Sequence, residues 1–206
     1  MMKSCDATGD AILKSAMAEF KKGYRHAFLR DIACNAGTTT GSIYTRYKSK
    51  EKLFNALVGE TADGLKDIMQ VCLNHMRGIK KYEGEQLYGP YYREVIPMIA
   101  DYINNWREET KLLADCAEGT FYEGYVCKLA DIEPENSDLL WPDKLIYRQL
   151  TDDVICLLTR TFYKTFFDFI LHDKLYVENE MIERLIQLHI SGWDTALLKI
   201  KQFPVT

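Results

Sequence analysis

Residues 32–45 read IACNAGTTTGSIYT, fourteen consecutive uncharged positions made largely of small and hydroxyl-bearing side chains, with Arg30 on one side and Arg46, Lys48, Lys50 and Lys52 on the other. Leu29, Ile32, Ala33 and Ala36 recur at i, i+3, i+4 and i+7, the spacing of one helical stripe, and Gly37 stops that helix after two turns. Thr39 is placed to cap a second short helix, on which Ile43 and Tyr47 lie four residues apart and face inward. Its other face is Thr40, Gly41, Ser42, Tyr44 and Thr45. Two short helices joined by a glycine turn, the second presenting hydroxyls with cations at both ends, fit a helix-turn-helix whose second helix enters the major groove of duplex DNA. Hydroxyl side chains reach base edges and thymine methyls, and the cations neutralise phosphates. Gly41 inside a helix costs about 1 kcal/mol relative to Ala, and a close approach of the backbone to DNA explains it. A plain polar turn leaves three successive threonines without a stabilising reason.

The flanking sequence extends this pattern. Upstream, Ile12, Leu13, Ala16, Met17 and Phe20 predict a helix over 10–22 that Gly23 closes. Downstream, Ser49 caps a fourth helix with Glu51 in its first turn, and the stripe Leu53, Phe54, Leu57, Val58, Leu65, Ile68, Met69 and Cys72 carries it to about Arg77. At about 1.5 Å rise per residue such a helix is roughly 40 Å long. Gly78, Gly84, Gly89 and Pro90 then mark a loop-rich joint, followed by helices over 91–106 and 107–131 and a break over Pro134–Pro142. Two long helices, 143–171 and 177–201, are separated by His172, Asp173 and Lys174, because a single helix of that combined length contradicts ordinary helix lengths. Alternating β-branched runs with Asn-Gly or Asp-Gly turns are absent, as are internal repeats. The fold class is therefore all-α, with an N-terminal three-helix helix-turn-helix domain over 1–55 and a larger helical domain over 56–206.

The composition agrees. With 206 residues, 47% hydrophobic and 27% charged, the chain has enough apolar surface for a core and lies far from disordered, collagenous or disulfide-scaffold compositions. Its longest apolar, uncharged stretches, such as 185–193, are half of what a membrane span needs. The N-terminus has no apolar segment of the secretory type, so a cytoplasmic protein with no membrane partner is expected. Cys5, Cys34, Cys72, Cys116, Cys127 and Cys156 form no C-x-x-C pair and have no histidine at ligand spacing. Reduced thiols, no metal and no cofactor are expected. The net charge of −4 hides an asymmetry: residues 1–60 hold ten Lys/Arg against six Asp/Glu, and residues 61–206 hold sixteen against twenty-four. Only the front end is suited to a polyanion.

Residues 12–60 resemble the DNA-binding domain of the TetR/AcrR family of bacterial transcriptional regulators. The resemblance is carried by Ala16, Phe20, Gly23-Tyr24, Arg30-Asp31-Ile32-Ala33, Ala36-Gly37, Gly41-Ser42-Ile43-Tyr44, Tyr47 and Ser49-Lys50-Glu51, in order and without a gap. It covers about a quarter of the chain. The resemblance implies a homodimeric repressor that binds a pseudo-palindromic operator in double-stranded DNA and whose C-terminal domain dimerises and binds a small-molecule effector. Carried over residue by residue, it implies that Thr40, Gly41, Ser42 and Thr45 face base edges behind the Thr39 cap. Tyr44 and Lys50 would hold phosphates, with Arg30 and Arg46 beside the backbone. The chain departs from the family's pattern at Ala27 and Phe28, where a Thr or Ser usually opens the second helix, and at Thr38, often Val. An uncapped helix start costs about 1 kcal/mol, which packing of Phe28 is expected to offset.

The C-terminal body is rich in aromatic residues, most of which core and interface account for. Glu118, Tyr122 and Tyr125 share a face at i, i+4 and i+7 of the helix expected over 107–131, and a carboxylate among aromatics favours a cationic or hydrogen-bonding aromatic ligand. With Trp106 and Tyr147 they form the candidate effector site. Phe162, Phe166, Phe169, Ile182, Leu185, Ile186 and Trp193 exceed what one core needs on one side, and are expected to pair the last two helices of two subunits into a four-helix bundle. Two other readings stay open. One is a helical small-molecule-binding protein with a vestigial DNA reader. The other is an all-α metal-dependent hydrolase built on His172-Asp173, against which stands the absence of any nucleophile-elbow, P-loop, zincin or dinucleotide motif.

Overall fold

Apolar stripes at helical spacing become helices throughout the computed structural model, which describes residues 7–80, 87–140, 152–172 and 179–202. In chain order they are α1 (Ala7–Phe20), α2 (Leu29–Asn35), α3 (Thr40–Tyr47), α4 (Lys50–Ile79), α5 (Tyr88–Asn105), α6 (Arg107–Asp115), α7 (Tyr125–Ala130), α8 (Ile132–Glu135), α9 (Ser137–Leu140), α10 (Asp152–His172) and α11 (Asn179–Gln202). No strand occurs among the described residues, and no helix is long and apolar enough to cross a membrane. The all-α expectation holds.

The chain divides into two compact units, residues 1–64 with 106–125, and residues 65–105 with 126–206. The first therefore extends past the expected 1–55 module. Its core explains why: α6 and the turn after it place Leu112, Leu113 and Ala117 in one cluster with Ile12, Phe20, Ile32, Ile43, Leu53 and Phe54. Phe20 meets Phe54 edge to face at 5.1 Å, a favoured aromatic geometry. In the second unit α5 packs against α11 and α10, and α10 against α8. Tyr91, Tyr92, Val95, Ile99, Tyr163 and Phe167 are buried there.

Four expectations are corrected. The joint expected through Gly89 and Pro90 ends earlier, since both lie in the first turn of α5, where the N–H that proline lacks has no intrahelical acceptor. The helix expected over 107–131 breaks after Asp115 and resumes at Tyr125. Gly119 and Gly124, at φ 86° and 68°, turn the chain there in a conformation that L side chains rarely adopt. The break over 134–142 contains helical turns up to Leu140, Pro134 being tolerated inside the four-residue α8. Finally, the excess assigned to a dimer interface is largely consumed inside the protomer: Phe166, Ile182, Ile186 and Trp193 are buried, and Phe162, Phe169 and Leu185 are half-buried. Among the described residues, the large apolar side chains that α10 and α11 expose are instead Leu157, Leu158, Met181 and Leu188, the last at 72%.

Candidate nucleic-acid interface

Thr39 caps α3 as its position requires: its backbone is extended (φ −112°, ψ 156°) and its Oγ1 accepts the Ser42 N–H at 3.2 Å. Ser49 does the same for α4, accepting the Lys52 N–H at 3.0 Å. Between the caps, Ile43 is fully buried and Tyr47 packs partly against the same core, which fixes the rotation of α3. Thr40, Gly41, Tyr44, Thr45 and Arg46 are exposed in consequence, with Ser42 half-exposed. Tyr44 keeps 52% of its surface accessible. The Thr45 hydroxyl donates to the Gly41 carbonyl at 2.9 Å, so its methyl is held outward. A Cβ at Gly41 would meet nothing closer than Thr39 Oγ1 at 3.6 Å, an ordinary contact. Internal packing thus gives no reason for a glycine at a position where alanine makes a better helix.

The cations divide into two groups. Arg30, Arg46, Lys48 and Lys52 have exposed side chains at the ends of α2, α3 and α4. Lys48 turns the chain between α3 and α4 at φ 66° and donates to the Thr45 carbonyl at 2.9 Å. Lys50 is turned inward. Its ammonium donates to the Tyr24 carbonyl and lies 4.4 Å from the centroid of the Tyr24 ring, and desolvation moves its pKa below the usual lysine range. The ammonium expected at a phosphate therefore ties the start of α4 to the turn after α1.

The second helix opens without a side-chain cap, as Ala27 and Phe28 foretell, and Phe28 does not compensate by packing: 63% of it is exposed. Glu19 on α1 supplies the missing acceptor. Only 3% exposed, it takes the Phe28 N–H on Oε1 at 3.3 Å and the Lys22 ammonium on Oε2 at 2.6 Å. The Lys22 hydrogen bond holds its carboxyl below the usual range despite burial. Sequence reasoning missed Glu19, although an acid on the inward stripe of α1 was the available signal. Ser15, on the same side of α1, donates to the Ile32 carbonyl at 2.9 Å and locks α2 onto α1.

The segment 106–125 brings the proposed effector residues into this unit. With no helix over 116–124, Glu118, Tyr122 and Tyr125 do not share a helical face, which corrects the premise for grouping them. Glu118 pairs with Arg25 at 2.8 Å, Tyr122 donates to Asn55 Oδ1 at 2.6 Å, and Tyr125 donates to the Ala62 carbonyl at 2.5 Å. Their neighbour Phe121 donates its N–H to Glu51 at the start of α4 at 3.2 Å. These contacts clasp α4. Trp106 precedes α6 and is 39% exposed, and Tyr147 lies outside the described residues. Of the other histidine candidates, His172 lies 3.8 Å from Asp168, and Asp173 is outside the described residues.

Comparison with known proteins agrees with this geometry. Residues 12–57 match the family model of bacterial regulatory proteins, tetR family. A whole-sequence comparison with curated proteins gives no match. Among solved structures, a TetR-like transcriptional regulator from Rhodococcus sp. RHA1 superposes with a TM-score of 0.63 at 16% identity, covering 94% of this chain and 99% of that one. NalD, the secondary repressor of the MexAB-OprM multidrug efflux pump in Pseudomonas aeruginosa, gives 0.58 at 18% identity, covering 90% and 96%. The fatty acid degradation regulator FadR from Bacillus halodurans gives 0.51 at 15% identity, covering 93% and 98%. The resemblance read from residues 12–60 is borne out, and the described chain has the fold of these regulators from end to end.

Proposed function

We propose that this chain, whose N-terminal module and whole fold are those of TetR-family transcriptional regulators, is a ligand-responsive repressor that binds a pseudo-palindromic operator as a homodimer through the helix-turn-helix at 29–47. The observation that carries the reading is the outer face of α3. Small and hydroxyl-bearing residues stand exposed between capped ends, beside exposed arginines and lysines, with a glycine that the fold itself does not need. On a symmetric dimer the half-sites lie about one helical turn apart or a multiple of it. The exposed leucines and methionine of α10 and α11 are the surface we assign to the second copy, replacing the buried set read from sequence.

Switching follows from linkage. A small molecule that favours a conformer with misplaced α3 helices loses affinity when DNA holds them in place, typically by 1–3 kcal/mol. Two covalent routes join the units: α4 runs through residue 64, and the segment 106–125 is continuous at both ends with the second unit.

The test is selection of duplexes from a randomised pool at low salt, followed by affinity measurement against salt. The reading expects one two-fold-related sequence to be enriched, Thr40→Ala to relax preference at one position, and Arg46→Ala to weaken all duplexes and lower the salt slope by about one unit. A pool that yields no retained sequence would reduce the protein to a helical small-molecule binder with a vestigial reader.

A further inference from the structure

The second unit keeps a carboxyl in its interior. Glu133 on α8 is fully buried; its Oε2 accepts the Tyr92 hydroxyl at 2.5 Å and its Oε1 the Tyr163 hydroxyl at 2.5 Å. A carboxylate has about four acceptor positions, so these two phenols leave capacity unused. The Tyr91 hydroxyl faces Tyr163 and Glu133 without completing a hydrogen bond, and Thr159, one turn before Tyr163 on α10, has a buried hydroxyl that is also unpartnered. Tyr92 meets Phe162 edge-on at 5.6 Å and His189 at 4.6 Å.

Among the described residues no cation balances this carboxyl. Arg160 is engaged by both oxygens of Asp131, at 2.6 and 2.7 Å. His189 accepts the Trp193 indole N–H at 3.0 Å, and burial holds its pKa down to about 4, so the imidazole is neutral. Desolvation pushes Glu133 up to about 7, against the opposing pull of the two phenols. A buried carboxylate needs a cation to ionise at low cost, and the faces of aromatic rings attract one. A single acid among phenols is not a ligand set for a hard divalent ion, which takes six or more oxygens, and it balances one positive charge.

We propose that Glu133, walled by Tyr92 and Tyr163, is the counter-ion of a binding site for a small organic monocation, a protonated amine or quaternary ammonium with an apolar body. The inference rests on the reading of the second unit as the effector domain and names the effector's class. Because Glu133 is enclosed, the ligand enters as the short α8 shifts, and association is slower than an open site allows.

The test uses the full-length protein without DNA, with benzyltrimethylammonium and 2-phenylethylamine as probes and 2-phenylethanol as the neutral control. Both cations are expected to raise the melting temperature and the alcohol to leave it unchanged. Cation affinity should rise up to about tenfold between pH 6 and pH 8, as the carboxyl ionises. Glu133→Gln removes the stabilisation and its pH dependence. Should that variant not fold, Tyr163→Phe serves: losing one donor to the carboxylate moves the midpoint of the pH dependence upward. No stabilisation of the parent protein by either cation at pH 8, or equal stabilisation of Glu133→Gln, overturns the proposal. The result is separable from the switching reading. Cation binding that leaves operator affinity unchanged keeps the site and removes the switch, whereas a metabolite that releases DNA from a protein that neither cation stabilises keeps the switch and removes the site.

Discussion

The two units treat a buried acid in opposite ways. In the first, Glu19 is partnered by an ammonium and a backbone N–H, and its carboxyl is held below the usual range. In the second, Glu133 has two neutral phenols and, among the described residues, no cation, and its carboxyl is pushed up to about 7. The first unit pairs its buried acid internally and leaves its cations and hydroxyls on an outer face. The second keeps an acid among phenols where solvent does not reach. A partner large enough to need a surface suits the first, and a partner small enough to be enclosed suits the second.

The largest effect that sharpens this contrast separates core from surface in the second unit. Phe166→Glu places an unpaired charge among buried aromatics and should cost about 3–5 kcal/mol, enough to unfold much of the population. Leu188→Glu, at an exposed position, should leave urea unfolding of the monomer within about 0.5 kcal/mol and show its effect by light scattering as loss of the dimer. A folded Phe166→Glu monomer would return the interface to the set read from sequence.

Next is the pH dependence of Glu133. Its folded pKa is raised from 4.5 to about 7, so the stability that the protonated carboxyl contributes is complete below about pH 4.5 and is lost as pH rises through about 7. Glu133→Gln should match the parent near pH 4.5 and exceed it at pH 8 by on the order of 2 kcal/mol in denaturant titrations. An advantage that is the same at both pH values would mean that Glu133 is ionised and paired, as Glu19 is, and the contrast between the units would collapse.

Smaller effects belong to the first unit. Lys50→Ala loses a hydrogen bond to the Tyr24 carbonyl and a cation–ring contact, and should lower its thermal stability by about 1 kcal/mol. Its salt slope on DNA should stay unchanged, in contrast to Arg46→Ala. Glu118→Gln removes only a solvent-exposed pair with Arg25. It should shift stability by less than about 0.5 kcal/mol and leave cation binding intact. Loss of ligand response in that variant would restore Glu118 to the effector site.

The sequence made the first unit legible because its stripes are short, its caps are local and its turns carry glycine. Thr39, Ser49, Gly23, Gly37 and the burial of Ile43 all follow from spacing and propensity alone. The inward turn of Lys50 was not legible, because the position of an ammonium on a four-carbon stem depends on what lies 26 residues earlier in the chain. For the effector site, spacing suggested a carboxylate among aromatics and attached it to Glu118, which lies in the first unit. The helix expected over 107–131 ran through Gly119 and Gly124, whose positive φ values end it, and that periodicity had grouped residues which in fact clasp α4. Glu133 falls between the helix expected to end at 131 and the break expected from Pro134. Nothing local marks it as buried, since Tyr92 and Tyr163 come from 41 and 30 residues away.

Gly41 offers the most direct measurement of the central claim, that the outer face of α3 is shaped for DNA at the expense of the protein's own stability. Gly41→Ala adds a methyl that meets only an ordinary 3.6 Å contact within the chain, and should raise stability by about 0.5–1 kcal/mol. The same methyl should weaken operator binding tenfold or more in a fluorescence-anisotropy titration on the same preparation. A variant that is more stable and binds its selected duplex as tightly as the parent would contradict the account.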